Sequence, residues 1–550
     1  MTFQRILQTI TFICFLVLLY LAAFPLISPV PVDIFLRMDP LVLIGTLISA
    51  RVFIPVLLPA VLILALTFIL GRFFCSHLCP MGTTIDIADQ VFHPGKKGGP
   101  DTYRPLHPSL NILKYLVLFF ILGAALLGVS LVFLGSPLSL ITRFYGLVIF
   151  PVAALIMDMG LFVLRGIADF FGVSIFAYTS IDNPRYALQF SLVLIFVFVL
   201  GCAYLSPRFW CRYLCPAGAL FALASFKPLL RRRVDESCTR CGLCVQKCPM
   251  GAISPDPRKT DFSECIVCLR CAHICPERAI TFTCPVGGGD RAVNPFSGQR
   301  RKVLGAGLFG AGTALVSLTG LQQLHTGDSL GQIIPPALIR PPGAVPEPDF
   351  LARCVRCGEC MKACPTNTLQ PIGLVSGFTA FASPVITPQR GPCEPLCTVC
   401  GQVCPTGAVR PLSEAEKIWA KVGTAYVIRH KCLAWEFDQE CLVCDEVCPF
   451  DAVKLQRVAG IEVAVPFVDE SRCNGCGFCE YYCPVLGDRA IIVEPMNALR
   501  LATGSYREQG RDLGFSFEMK QQSEYGPGER KGQEPSRQEF DDDLPPGFTE

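Results

Sequence analysis

A chain of 550 residues is long enough for about three or four domains. Apolar residues make up 51% and charged residues only 17%, against about 25% charged in soluble domains, so part of the chain is expected in a membrane. A net charge of +3 is too balanced for nucleic-acid binding, and 31 cysteines gathered in tight quartets exclude a small secreted disulfide scaffold.

The strong apolar runs lie in the first 206 residues: Ile10–Ile27, Phe53–Leu70, Leu113–Leu134, Tyr145–Leu164 and Ala187–Leu205. Most are long enough for a hydrocarbon core of about 30 Å. The first lacks a small-residue cleavage site and is read as a retained span. An internal repeat runs through this region. Asp39-Pro40, Arg51 and a span lead to Arg72-Phe73-Phe74-Cys75-Ser76-His77-Leu78-Cys79-Pro80. Ser136-Pro137, Arg143 and a span lead to Arg208-Phe209-Trp210-Cys211-Arg212-Tyr213-Leu214-Cys215-Pro216, with an insertion over about Leu155–Pro184. Parallel copies put both Cys-x-x-x-Cys-Pro motifs on one face, which requires an even number of crossings between them. Tyr145–Leu164 carries Asp158, with Arg165 and Asp169 just beyond. It is therefore expected to be re-entrant or interfacial, leaving four full spans. Residues 72–114 hold five Lys/Arg and residues 207–233 hold six, against two in 28–52. This bias puts both Cys-Pro motifs in the cytoplasm.

The expected architecture is thus an α-helical membrane domain over residues 1–230, followed by α+β modules of bacterial-ferredoxin type. The first cysteine-rich module spans 231–286. A linker, 287–299, leads to Arg300-Arg301-Lys302 and the mildly apolar run Val303–Leu324, so that 300–324 reads as a further span. Residues 325–350 are a proline-rich linker, and 351–495 form the second module. The charged tail, 496–550, is expected to be disordered.

Six quartets carry the chemistry. The first module has Cys238, Cys241, Cys244 and Cys248, then Cys265, Cys268, Cys271 and Cys275. The second has Cys354, Cys357, Cys360 and Cys364; Cys393, Cys397, Cys400 and Cys404; Cys432, Cys441, Cys444 and Cys448; and Cys473, Cys476, Cys479 and Cys483. Four are strict C-x2-C-x2-C-x3-C-P, the spacing of [4Fe–4S] ligands. Three thiolates from one short loop reach three corners of an iron–sulfur cube, and the fourth comes from elsewhere. In two-cluster ferredoxins the last cysteine of each motif serves the other cluster. Cys238, Cys241 and Cys244 then join Cys275, while Cys265, Cys268 and Cys271 join Cys248. The pairing of the last four motifs stays open. Zinc sites use separated C-x2-C pairs, which this spacing disfavours. The quartets at Cys393 and Cys432 depart at their first interval but keep C-x2-C-x3-C-P. Cys75, Cys79, Cys211 and Cys215 form two pseudo-symmetric pairs on one membrane face, a potential seventh site or a structural thiol turn. No Cys-x-x-Cys-His attaches a haem, none of the six histidines lies inside a strong span, and there is no P-loop.

These motifs resemble two families. Residues 1–285, with the paired Cys-x-x-x-Cys-Pro motifs and the two-cluster module, are similar to the NapH/MauN membrane ferredoxin-type proteins. Residues 300–495, with a loose twin-arginine match and four cluster motifs, resemble the NapG/MauM ferredoxin-type proteins, and the chain looks like a fusion of the two. The resemblance implies a multi-pass protein of the bacterial inner (cytoplasmic) membrane. It further implies an electron-transfer subunit moving electrons from menaquinol to a periplasmic reductase or cytochrome. The other reading is an assembly or redox-sensing scaffold for a periplasmic metalloenzyme; six clusters in series favour the conduit. Asp39-Pro40 with Arg51 and Ser136-Pro137 with Arg143 are expected to form a quinol pocket, the arginines donating to quinone oxygens.

Arg291, Arg300, Arg301 and Lys302 precede the Val303–Leu324 run, and Arg340 follows it. This charge bias puts the first module inside and the second outside. Reporter fusions after Gly298 and after Gly343 are expected to report opposite sides of the membrane. A cytoplasmic signal from both would overturn the crossing.

Overall fold

The computed structural model describes residues 3–26, 28, 30–92, 108–170, 183–284, 303–315, 338–374 and 377–520. The 287–299 linker, Arg300-Arg301-Lys302, residues 316–324 of the apolar run, residues 325–337 of the proline-rich linker and residues 521–550 of the tail lie outside these. So do Lys96, Lys97, Arg104 and residues 171–182 of the insertion.

Two helices have the length and composition to cross a membrane, Phe3–Leu21 and Pro137–Arg165. Shorter apolar helices are Pro40–Ala50, Pro55–Leu70, Leu110–Leu126, Gln189–Tyr204 and Val303–Leu315. Against the four spans expected, two helices among the described residues reach spanning length.

Tyr145–Leu164, expected to be re-entrant or interfacial, lies within one continuous helix, which disagrees with a re-entrant turn. Pro137–Phe144 continues through a π-helical turn, Tyr145–Ile149, into Phe150–Phe170 without a break. Pro151 lacks an amide hydrogen and would crowd the preceding turn of a straight α-helix; the wide turn just before it absorbs that conflict. The second half of this helix projects from the fold, with Met157 60% and Phe162 75% exposed. The chain is back at the same end by Gln189, whose Nε2 donates to the Leu147 carbonyl at 3.0 Å.

The two repeat copies are pinned cap to cap. Asp39 caps Pro40–Ala50, accepting from the Leu41 amide at 2.9 Å, and Ser136 caps Pro137–Phe144, accepting from the Ser139 amide at 3.1 Å. Ser136 Oγ then donates to Asp39 Oδ2 at 2.6 Å. Each cap is followed by proline at the first helical position, where its missing amide hydrogen costs nothing.

The modules are built on two-stranded antiparallel sheets that clasp the ends of long cysteine-rich loops. Arg231–Val234 pairs with Ile280–Thr283, enclosing both quartets of the first module. In the second, Leu369–Pro371 pairs with Pro384–Ile386, and Thr424–Val427 pairs with Ile491–Glu494 around the inner hairpin Val453–Gln456 and Val465–Val468. The expectation of a disordered tail fails for residues 496–520. Ser505 caps a helix, Tyr506–Asp512, and Tyr506 and Phe517 are buried, with Phe517 edge-on to Trp419. Isolated aromatics in a charged stretch found a surface to pack on.

The modules dock at the two ends of the Phe3–Leu21 helix. Gln4 lies by the Ser76 carbonyl, where Ser76 Oγ donates to Ile266 of the first module at 2.6 Å. At the other end Lys362 of the second module donates to the carbonyls of Tyr20 and Ala22, at 3.0 and 2.8 Å. At 1.5 Å per residue these contacts are about 25 Å apart. Ser49 and Ser139 also hold the second module, donating to Ala352 and Val355 carbonyls at 2.6 Å each.

The first module is held by a buried charge cluster in which Glu264 receives Arg72 at 2.9 Å and Lys114 at 2.5 Å. Burial alone would raise Glu264, but Lys114 and Arg72 outweigh it and hold its carboxyl below the usual range. Glu264→Gln strands two buried cations, and breaking such a cluster costs about 3–5 kcal/mol. The expected result is a lower thermal midpoint and faster proteolysis of residues 234–284. An unchanged midpoint would show that the module is not docked through this cluster.

Candidate iron–sulfur sites

The quartets do not each close on themselves. Cys265, Cys268 and Cys271 line one hollow with Cys248. Cys393, Cys397 and Cys400 line another with Cys364. Cys432, Cys441 and Cys444 line a third with Cys483, and Cys473, Cys476 and Cys479 a fourth with Cys448. Cys404 stands within electrostatic range of Cys354, Cys357 and Cys360. Cys244 packs in one apolar cluster with Cys275, and Cys238 and Cys241 lie near it. The crosswise exchange expected in the first module recurs in the second, with the third motif paired to the fourth and the fifth to the sixth.

The loops are wound to receive an anion. In each strict motif the residues on either side of the second cysteine have left-handed backbone: Arg240 and Gly242, Val267 and Leu269, Arg356 and Gly358, Gly475 and Gly477. Left-handed geometry costs a non-glycine residue about 1–2 kcal/mol, so its repetition marks a requirement. Alternating hands turn successive amides inward into an anion-binding nest, as at known iron–sulfur sites. Amides also point at the sulfurs. Ala252 donates to Cys248 at 3.3 Å, Ala452 to Cys448 at 3.3 Å and Val409 to Cys404 at 3.4 Å. In the divergent quartet, the longer interval after Cys432 winds into a helical turn, Leu433–Glu436, that Cys432 itself begins. Burial pushes the thiols up, Cys397 to about 11 and Cys444 to about 12. Thiolates in such hollows therefore call for a cationic core, and a cube of iron and sulfide supplies one. Among the described residues no three Cys, His, Asp or Glu converge tightly enough to share a single metal ion.

Cys75, Cys79, Cys211 and Cys215 also come together. Cys79 stands within electrostatic range of the other three. The wide turn Trp210–Leu214 carries Cys211, and Cys215 caps Pro216–Ala224, accepting from the Gly218 amide at 3.3 Å. Gly82 and Gly218 occupy equivalent positions three residues after the last cysteine of each copy. A Cβ at Gly82 would sit 2.7 Å from the Cys75 carbonyl, and one at Gly218 would sit 3.2 Å from the Cys211 carbonyl. Arg72 and Arg208, three residues before the first cysteine of each copy, are fully buried beside the site. Arg208 forks onto Asp86 at 2.8 and 2.7 Å. Arg72 keeps Nε and Nη2 without a hydrogen-bond partner, and Nη2 lies 3.0 Å from the Cβ position of Gly218. These arginines read in the sequence as loop charges that orient the membrane domain; their matched place in the repeat was the signal that they belong to a site.

This four-cysteine site packs against the first module and leads toward the second through intervening residues. Cys75 packs into the cluster that includes Cys248, Cys265 and Cys268. On its other side a Cβ at Gly135 would meet Pro216, next to Cys215, at 2.3 Å. Two residues earlier, the buried ring of Phe133 lies 3.8 Å beneath the Arg356 guanidinium of the second module. Arg51 and Arg143, expected to line a quinol pocket together, lie in different surroundings. Arg51 is exposed, the left-handed cap of Pro40–Ala50. Arg143 is buried and donates to the Phe133 carbonyl at 2.9 Å. The reason is the docked second module, whose Gly358 sits against the Arg143 backbone.

Paired hollows of four cysteines, lined by anion-binding backbone, define a ferredoxin-type iron–sulfur protein that transfers electrons. Models of 4Fe-4S binding domains match residues 52–99 with 188–235, 350–370 and 465–491, and a 4Fe-4S dicluster domain matches 237–280. The first of these covers both Cys-x-x-x-Cys-Pro copies. The chain belongs to the MauM/NapG family of ferredoxin-type proteins. It is 38% identical over 208 residues to the methylamine utilization ferredoxin-type protein MauM of Methylorubrum extorquens, covering 36% of this chain and 91% of that protein. It is 33% identical over 231 residues to the ferredoxin-type protein NapG of Escherichia coli, covering 40% of this chain and 95% of NapG.

The crosswise geometry makes a specific demand. In Cys404→Ala the thiols that become open to alkylation are expected to be Cys354, Cys357 and Cys360, and in Cys364→Ala they are Cys393, Cys397 and Cys400. Mass mapping of alkylated cysteines reads this directly. Labelling within the mutated quartet instead would overturn the exchange.

Proposed function

We propose that this chain is a membrane-bound electron conduit whose seven cysteine sites form one relay. The 24 quartet cysteines are the ligands of six [4Fe–4S] clusters, and Cys75, Cys79, Cys211 and Cys215 hold a seventh. Each cluster, when bound, takes up and returns one electron. The observation that carries this reading is the position of the four-cysteine site. Through Cys75 it packs against Cys248, Cys265 and Cys268 of the first module, and from it Pro216 meets Gly135, two residues from the Phe133 ring that lies under Arg356 of the second module. A structural thiol turn has no need of matched buried arginines, matched glycines and a contact with a cysteine-rich module.

The membrane half acts as a multi-pass NapH/MauN-like part fused to the MauM/NapG-like part, in the bacterial inner membrane. The first module faces the cytoplasm and the second the periplasm, which agrees with their docking at opposite ends of Phe3–Leu21. The helices shorter than a usual span leave large apolar side chains exposed, among them Leu62, Phe198 and Leu308, which lipid would cover. Menaquinol is the donor and a periplasmic reductase or cytochrome the acceptor.

Seven cubes require about 28 iron atoms per chain, against about 24 for the quartets alone. Anaerobically purified protein is expected to approach the higher value, and Cys75→Ala and Cys215→Ala should each lose about four irons. Stoichiometric zinc with little iron would overturn the cluster reading. A menaquinol analogue should bleach the cluster absorbance in wild type; failure to do so would remove quinol as the donor.

A further inference from the structure

Buried cations stand beside most of the cysteine sites, but their counter-charges differ. At the four-cysteine site Arg72 is paired with Glu264 and Arg208 with Asp86. Arg340, near Cys354, is paired with Glu347. Single cations approach other sites: Arg232 at Cys244, Lys417 at Cys393 and Cys400, and Lys421 at Cys473.

The site of Cys354, Cys357, Cys360 and Cys404 is different. Two guanidiniums from two domains converge on it, and among the described residues neither has a carboxylate partner. Arg356, 1% exposed, stacks on Phe133, donates through Nη2 to the Thr379 carbonyl, and leaves Nε and Nη1 without partners. Arg143, 3% exposed, has its guanidinium centre 5.7 Å from the same ring, donates to the Phe133 carbonyl, and leaves Nε without a partner among the described residues. Arg143 is within electrostatic range of Cys354 and Cys357, and Arg356 within range of Cys354. The one carboxylate in the motif, Glu359, is matched by Lys362 one turn on, so that pair adds no net charge. Guanidinium stays protonated in proteins.

Burying two unpaired cations is costly and calls for an anion they serve. A [4Fe–4S] cluster with four thiolates is that anion, and it gains one more negative charge on reduction. Cations in a poorly solvated site stabilise the reduced form more than the oxidised one, and local charge is among the levers that set cluster potentials.

We propose that Arg143 and Arg356 raise the reduction potential of the Cys354–Cys357–Cys360–Cys404 cluster above those of the other five ferredoxin-module clusters, making it the point where electrons collect as they enter the second module. Arg143 belongs to the membrane domain, so this tuning exists only while the second module is docked. The inference rests on the cluster reading above.

The test is an EPR-monitored redox titration of the full-length protein. The component belonging to this site is the one missing in Cys404→Ala, and in wild type it should titrate highest among the ferredoxin-module clusters. Arg143→Leu and Arg356→Leu should each move that component to lower potential by at least tenfold in its reduction equilibrium, about 59 mV for one electron, leaving the other components in place. Arg143→Lys should keep most of the wild-type value. If Arg356→Leu loses iron from its own loop, Arg143→Leu, which changes the membrane domain alone, decides the matter. An unmoved component, or an equal shift of all components, overturns the proposal. Absence of cluster signals from wild type would instead overturn the cluster reading.

Discussion

A short peptide loop can bring three thiolates to an iron–sulfur cube and no more, and the need for a fourth from elsewhere organises this chain. That need is met by exchange between motifs, so two quartets must fold face to face. The strands exist to make them do so. Arg231–Val234 and Ile280–Thr283 close one such pair, and Thr424–Val427 and Ile491–Glu494 close another. These sheets are too small to be stable by themselves. The cubes, by tying two loops together, act as the missing core, much as metals do in other small domains.

The same requirement, moved into the membrane domain, explains the internal repeat. In the proposed reading each copy there supplies two thiolates, and the two copies complete one set of four. The Asp39–Ser136 bond and the matched Gly82 and Gly218 then serve one purpose, which is to fix two half-sites in register. Charge compensation follows. Arginines buried by the cysteines are answered by Asp86 and by Glu264, and because Glu264 comes from the first module, assembly of the membrane site and docking of that module are one event.

The sequence makes local features legible and long-range ones obscure. The quartets stand out because their spacing is set by one loop, and the exchange of Cys248 with Cys275 is readable because only two motifs share that module. The pairing among the last four motifs depends on Thr424–Val427 finding Ile491–Glu494 across more than sixty residues, which no spacing rule encodes. Arg143 and Arg51 look equivalent in the repeat, yet one is covered by a module whose docking surface lies some two hundred residues away in sequence. Tyr506 and Phe517 were lost in the average composition of a charged tail, although the aromatics themselves marked a packed segment.

The two halves also differ in how they meet their charges, and this difference gives the relay a sense of direction. At the junction of the first module the buried Arg72 and Arg208 are each paired with a carboxylate, so their charge is offset. At the junction of the second module Arg143 and Arg356 have no carboxylate partner among the described residues, and both lie by the Phe133 ring. A desolvated charge that the fold leaves unpaired must be stabilised by something the site is built to hold. In the proposed relay the asymmetry would thus favour a resting electron at the second junction over the first, whichever side supplies it.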